Sequence, residues 1–192
     1  YGLAQCTNIT FDNCKFDLSA STETYPDAIK RMGGTVSGTI SEKEAVAYLN
    51  GLTVKNCEFV NVRYGVSAGK VRNTTVEGCS FTNCSSYAVR FEDVAGTLNV
   101  ISNTVNTAEG VLSINTVGNN YSTTDIRTDV VIQNNTAAGM TCGNGNVFIT
   151  TYDNARTSGK STYTITDNSC TYSQTFDEPL NGFRIKSTYG PS

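Results

Sequence analysis

The sequence predicts an all-β chain wound as a parallel solenoid of about six coils, and three observations predict it. The first is a recurring frame. An apolar residue, another two positions on, an Asn or Cys three after that and an apolar residue two further recur six times. The frame reads Ile9-Phe11-Cys14-Phe16, Leu52-Val54-Cys57-Phe59, Thr74-Val76-Cys79-Phe81, Leu98-Val100-Asn103-Val105, Val130-Ile132-Asn135-Ala137 and Tyr163-Ile165-Asn168-Cys170. Its third positions lie 43, 22, 24, 32 and 33 residues apart, and returns at roughly 20–50 residues mark a solenoid. The second is composition. Only 16% of the residues are charged, and Thr, Asn, Ser and Gly fill the gap, which suits strands joined by tight turns. The third is a further short apolar stretch after most frames: Gly65–Ala68, Ala88–Phe91, Gly110–Ser113, Asn146–Ile149 and Gly182–Ile185.

Each frame places two residues of one parity inward, as a strand requires. The polar residue that follows marks a turn, a second short strand resumes the alternation, and the third stretch completes the coil. Strand, turn, strand, loop, strand, loop is the order of a parallel β-helix. Coils stacked ~4.8 Å apart turn equivalent residues into ladders. Phe16-Phe59-Phe81 should form an aromatic ladder, and Phe11-Val54-Val76-Val100-Ile132-Ile165 an aliphatic one. Each such side chain contributes about 1.5–3 kcal/mol once buried. Adjacent coils hide one another's faces, so no single repeat should fold alone.

Residues 19–50 lengthen the first repeat. Within them Ser41-Glu42-Lys43-Glu44 is a capping box that should open a short helix from Glu42 to Leu49, with Ala45, Val46, Tyr48 and Leu49 on its apolar side. Loops at 115–128 and 150–162 are rich in Asn, Thr, Ser and Gly, and if they project from one side they would wall a groove.

The turn positions have a chemical logic. An Asn amide carries donors and an acceptor, so asparagines repeated from coil to coil can bond along the stack and to nearby backbone. Asn13, Asn56 and Asn134 precede the third position of the frame, with Gly78, Ser102 and Asp167 where Asn is missing; Asn also tolerates the left-handed conformation that corners need. The third position itself accepts Cys14, Cys57 and Cys79 or Asn103, Asn135 and Asn168, which asks for a small, slightly polar, buried side chain. Free cysteine meets that description. Of the seven cysteines, the three in this column therefore read as reduced and structural, with a bridge such as Cys79–Cys84 as the alternative. The chain has no histidine, no Cys-x-x-Cys pair and no Asp-x-Asp-x-Asp calcium motif, so no metal site and no cofactor is predicted.

The bulk numbers bound the rest. One domain over 1–192 with a substantial core suits the length and the 38% hydrophobic content. A net charge of −3 offers no basic stripe for nucleic acid, and no run of 18 apolar residues marks a membrane span. Opening at Tyr1-Gly2-Leu3, already close to a repeat, the sequence reads as a piece of a longer secreted or surface protein, with other domains as neighbours.

Ile-Thr-Phe-Asp-Asn-Cys-Lys-Phe (9–16), Val-Ile-Gln-Asn-Asn-Thr-Ala (131–137) and Thr-Ile-Thr-Asp-Asn-Ser-Cys (164–170) resemble coils of the right-handed parallel β-helix, or pectin-lyase-like, superfamily. The resemblance runs from Asn8 to Ile185. It implies a right-handed winding and a range of activities: polysaccharide lyases, glycoside hydrolases, phage tailspikes and adhesins. For a lyase it implies an Arg or Lys base, a neutraliser of sugar carboxylates such as a calcium cluster, and an exposed strand face. Arg90 and Arg184 are the basic candidates, in the same outward position of the third strand, three coils or ~14 Å apart, a span that suits clamping sugar carboxylates. Lys186 follows on the same face; Arg184-Ile185-Lys186 faintly resembles the Arg-Ile-Lys of polygalacturonase-type hydrolases. The companion motifs Asn-Thr-Asp, Asp-Asp and Gly-His-Gly do not occur. The plainer reading makes these cations solvated guards of an exposed sheet. Glu92 and Asp93 are the acid–base candidates, since two carboxylates can divide those roles in glycoside cleavage, although neighbours on a strand face opposite ways. Asp27 with Lys30 and Arg31, and Asp12 with Asp17, read as surface charge.

Tyr25, Tyr64, Tyr87, Tyr121, Tyr152 and Tyr172 fall at turns or loops, and exposed tyrosines stack on sugar faces and donate a hydroxyl; Tyr64, Tyr87 and Tyr152 are the substrate-binding candidates. The expectation is an extracellular or cell-surface module that binds polysaccharide or cell-surface glycan, or serves as adhesin or spacer, without catalysis. The rival is a polysaccharide lyase or glycoside hydrolase acting on acidic polysaccharide.

Overall fold

The computed structural model describes residues 7–24, 26–31, 49–115, 128–141, 146–151, 162–173 and 181–186. Among them every regular element is a strand, and all pairings between strands are parallel. The chain forms one strongly curled sheet.

The six frames superpose in register. The first strand of each lies beside the next: β1 (Thr10–Asp12), β5 (Thr53–Lys55), the end of β7 (Val66–Glu77), the end of β8 (Ser80–Ile101), β10 (Thr128–Gln133) and β13 (Thr162–Thr166). Phe11, Val54, Val76, Val100, Ile132 and Ile165 form the expected column. Its interior members are fully buried, whereas Ile165 is 37% exposed, because no described strand covers it on the far side. The second column runs Phe16, Phe59, Phe81, Val105, Ala137, Cys170 through β2 (Lys15–Asp17), β6 (Glu58–Val60), β8, β9 (Thr104–Asn115), β11 (Thr136–Met140) and β14 (Ser169–Tyr172). The Phe16 and Phe59 rings stack at 5.1 Å, and Phe59 and Phe81 at 4.7 Å, within 6° of parallel. A third column, Ile29, Val66, Val89, Leu112, Phe148 and Phe183, joins β3 (Ile29–Arg31), β7, β8, β9, β12 (Asn146–Thr151) and β15 (Asn181–Lys186). Its first member, inside the long first repeat, was not anticipated: the insertion and the adjacent Lys30 and Arg31 mask the period.

Three columns of left-handed residues bend the chain between these strands. Asn13, Asn56, Gly78, Ser102, Asn134 and Asp167 all have φ between 53° and 62°, as the turn pattern predicts. A second column is Asn61, Asn83, Thr107 and Gly139, and a third Asn8, Gly51, Asn73 and Gly96. At Gly96 a side chain is disfavoured twice over: φ is +69° and a Cβ would stand 2.3 Å from Asn73 Oδ1. Bends of one sense, stacked strand over strand, curl the sheet.

The third frame position carries a buried hydrogen-bond ladder. The Oδ1 atoms of Asn103, Asn135 and Asn168 accept the N–H of Cys79, Asn103 and Asn135, each at 3.0 Å. Their Nδ2 atoms donate to the carbonyls of Val76, Val100 and Ile132. The cysteines copy this chemistry in sulfur: Cys57 Sγ accepts the Cys14 N–H at 3.4 Å, and Cys79 Sγ accepts the Cys57 N–H at 3.5 Å. Cys14, Cys57, Cys79, Cys84 and Cys170 are free thiols, so the alternative Cys79–Cys84 bridge is not formed. Burial pushes Cys79 up to about 11 and Cys84 to about 12.

One expected element lies almost wholly outside the described residues. The helix over 42–49 falls outside the described residues except for Leu49, which is not helical: it begins β4 (Leu49–Asn50), paired with Val71 and 5% exposed. As an extended residue it joins the core column instead of lying on it from outside.

Candidate functional site

The functional candidates meet beside the third strands. After the bend at Asn61, Val62 is buried and anchors the loop, so Arg63 and Tyr64 follow at the surface. Pro26–Ala28 runs alongside: the Arg63 N–H donates to the Pro26 carbonyl at 2.7 Å, and the Ala28 N–H to the Tyr64 carbonyl at 3.1 Å. That backbone pairing brings Asp27 to Arg63. The carboxylate accepts two bonds from the guanidinium, Nε at 2.8 Å and Nη2 at 2.7 Å, and pairs with Lys30 Nζ at 2.9 Å. The Asp27 side chain is only 2% exposed, so it is not the solvated surface charge the sequence indicates. Burial raises its pKa, but the hydrogen bonds from Arg63 and Lys30 outweigh that and hold the carboxyl below its ordinary value.

Arg90 comes from the neighbouring strand. Its side chain is 39% exposed and forms an ion pair with Glu92, two residues on and therefore on the same side. Both guanidiniums lie against one ring: Arg63 is 4.6 Å and Arg90 5.4 Å from the centroid of Tyr64, inside cation–π range. Tyr64 thus sits at the centre of a patch with two arginines, a lysine and two carboxylates. Tyr87 does not join it as a solvent-facing platform. It lies within β8 opposite Gly110 and is 7% exposed.

Register places the remaining candidates. Lys30, Ser67, Arg90, Ser113, Ile149 and Arg184 share one column. Arg184 is thus three strand spacings from Arg90, ~14 Å, as expected. Glu92, Asn115, Thr151 and Lys186 share another. The side chains of Asp93, Arg184 and Lys186, and Tyr152 altogether, lie outside the described residues. Asp12 and Asp17 are not a working pair: Asp12 takes Asn56 Nδ2 and Lys55 Nζ, each at 3.2 Å, while Asp17 takes Ser19. Among the described residues no group of three His, Cys, Asp or Glu side chains is arranged to hold a metal ion.

Sequence reasoning missed Arg63. A signal existed: aligning Ala28-Ile29 with Gly65-Val66 puts Asp27 beside Tyr64, but the insertion hides that alignment until the third strand of the first repeat is known.

Chemically, the patch offers guanidinium donors, a phenol and a lysine ammonium on a rigid sheet. The Glu92 carboxylate is engaged by Arg90. No family model matches the chain, and no curated protein and no solved structure matches it.

Proposed function

We propose that the chain is a right-handed parallel β-helix of about six coils, of the pectin-lyase-like kind, serving as a non-catalytic glycan-binding or adhesin module of a secreted or cell-surface protein. Six frames in register and three columns of left-handed bends support the winding. The observation that carries the binding role is the Arg63–Tyr64–Arg90 cluster, whose cations and ring form a fixed donor surface. Sugar hydroxyls and carboxylates accept from guanidinium groups, and the phenol adds one more donor. The described acid–base candidate is an ion-pair member, which fits binding better than bond cleavage. Screening on an array of neutral and acidic glycans tests this: retention is expected, and Tyr64→Ala and Arg90→Ala should each abolish it. No retention on any glycan would refute the module.

One observation favours the enzyme reading, a lyase or hydrolase of acidic polysaccharide: Arg90 and Arg184 share a column at a separation suited to carboxylates along an extended chain. Supplying uronate polymers and following unsaturated products or new reducing ends decides it.

A further inference from the structure

The cysteine end of the buried ladder carries an inference independent of glycan binding. Cys14, Cys57 and Cys79 occupy one column on successive parallel strands, since their neighbours Lys15, Glu58 and Ser80 are in register. Backbone N–H groups bind the sulfurs along the column at 3.4 and 3.5 Å. In-register positions on adjacent parallel strands stand ~4.8 Å apart, within the Cα range that a disulfide spans. Closing the bond requires the Cβ atoms to draw together slightly. The Cys57–Cys79 pair resists that, because strands flank it on both sides. Cys14 lies on the outermost described strand pair, where only one neighbour holds it.

Access separates the three further. Cys57 and Cys79 are 2% and 1% exposed, while Cys14 is partly exposed. Burial also pushes the Cys57 and Cys79 thiols up, which makes them poor first targets for an oxidant.

We propose that Cys14 is an oxidation site that hydrogen peroxide converts into a Cys14–Cys57 disulfide stapling the first strands to the second. The Cys14 thiolate attacks the peroxide oxygen; the O–O bond breaks, hydroxide leaves, and sulfur is oxidised to sulfenic acid. The Cys57 sulfur then attacks the Cys14 sulfur, the S–O bond breaks, and the Cys57 proton departs with the hydroxyl as water. Two thiols lose two hydrogens and the peroxide is reduced to water.

The full chain is treated with hydrogen peroxide while folded, then unfolded in urea for blocking with iodoacetamide, and digested without reduction by trypsin and chymotrypsin together. Cleavage after Phe11, Lys15, Lys55 and Phe59 releases Asp12–Lys15 and Asn56–Phe59, each with one cysteine. A linked pair of these peptides, lighter by two hydrogens than their sum, is expected. In Cys14→Ser, which alters a half-exposed site and should fold, the link disappears and Cys57 takes the iodoacetamide label in full. Peroxide added to the chain already unfolded in urea should lose the preference and scatter the pairings. The proposal is overturned if Cys57 in the folded wild type stays fully labelled, if Cys14 links to Cys6 or Cys57 to Cys79, or if Cys14 accumulates as sulfinic acid without a link.

Discussion

Replacing Asn135 with alanine probes the amide ladder where it is most enclosed. The side chain is fully buried and makes four bonds. Its Oδ1 accepts the Asn103 N–H and Asn103 Nδ2, both at 3.0 Å; its Nδ2 donates to the Val100 carbonyl at 2.8 Å and to Asn168 Oδ1 at 2.9 Å. Not all partners are stranded by the truncation. Asn103 Nδ2 keeps the Val76 carbonyl, and Asn168 Oδ1 keeps the N–H of residue 135 itself. The Asn103 N–H loses its acceptor outright. One stranded buried donor costs about 1–3 kcal/mol and each of the three further lost bonds about 1 kcal/mol, so the total is about 4–6 kcal/mol. Urea unfolding followed by circular dichroism reads this out. With a slope of about 1–3 kcal/mol/M, the midpoint should fall by about 1 M or more while the slope holds. Asn135→Cys is the informative control. In the lower half of the column a thiol already accepts the N–H and donates to a carbonyl, so it should recover part of the loss. The reasoning fails if Asn135→Ala unfolds within about 0.5 kcal/mol of wild type, or if Asn135→Cys is no better than alanine.

Other expectations follow from the same structure. Thr74 is fully buried between Leu52 and Leu98 in its column, and its hydroxyl has no partner; Thr74→Val should raise stability by about 1 kcal/mol in the same urea titration. Phe59→Ala removes the middle ring of the three-Phe stack and should cost about 3–5 kcal/mol, whereas Phe16→Ala at the half-buried end should cost visibly less. Asp27 has a lowered folded pKa, so its contribution is present above the unfolded value of about 3.9 and is lost as pH falls through the folded one. Asp27→Asn should therefore destabilise by about 2–4 kcal/mol at neutral pH and flatten the acid limb of a pH–stability profile. An unchanged acid limb would count against the buried pair.

The core was legible in the sequence because burial on every side constrains it. Val54, Val76, Val100 and Ile132 must be apolar since strands cover them above and below, and that requirement prints a period that a reader can align. The bends were legible for a related reason: a left-handed backbone restricts residue choice at Asn56, Gly78 and Asn134. Where the restriction loosens, so does legibility. Thr107 is left-handed yet gives no turn signal. Tyr87 was assigned to a turn, but it lies inside β8 and is buried. Leu49 was assigned to a helix by local propensity and a capping box, but β pairing with Val71 decides its conformation. Propensity is a weak prior against tertiary contacts.

The patch around Tyr64 was half legible, and the missing half shows why outward columns resist sequence reading. The column containing Arg90 reads Lys30, Ser67, Arg90, Ser113, Ile149, Arg184, with no repeated residue type beyond two serines and two arginines. Nothing in strand geometry dictates what an outward residue must be, so no period marks those that act. Arg90 was found because its separation from Arg184 is fixed by the inward residues on either side of it, Val89 and Phe91. Arg63 was missed because its partner Asp27 comes from an insertion that follows no frame. Yet the insertion is what turns two ladder positions into a cluster. Without Asp27 to hold the Arg63 fork, the guanidinium would have no fixed place over Tyr64. A glycan-binding site on such a scaffold is therefore best sought where an insertion returns to the ladder, since the ladder supplies rigidity and the insertion supplies chemistry that the repeat cannot encode.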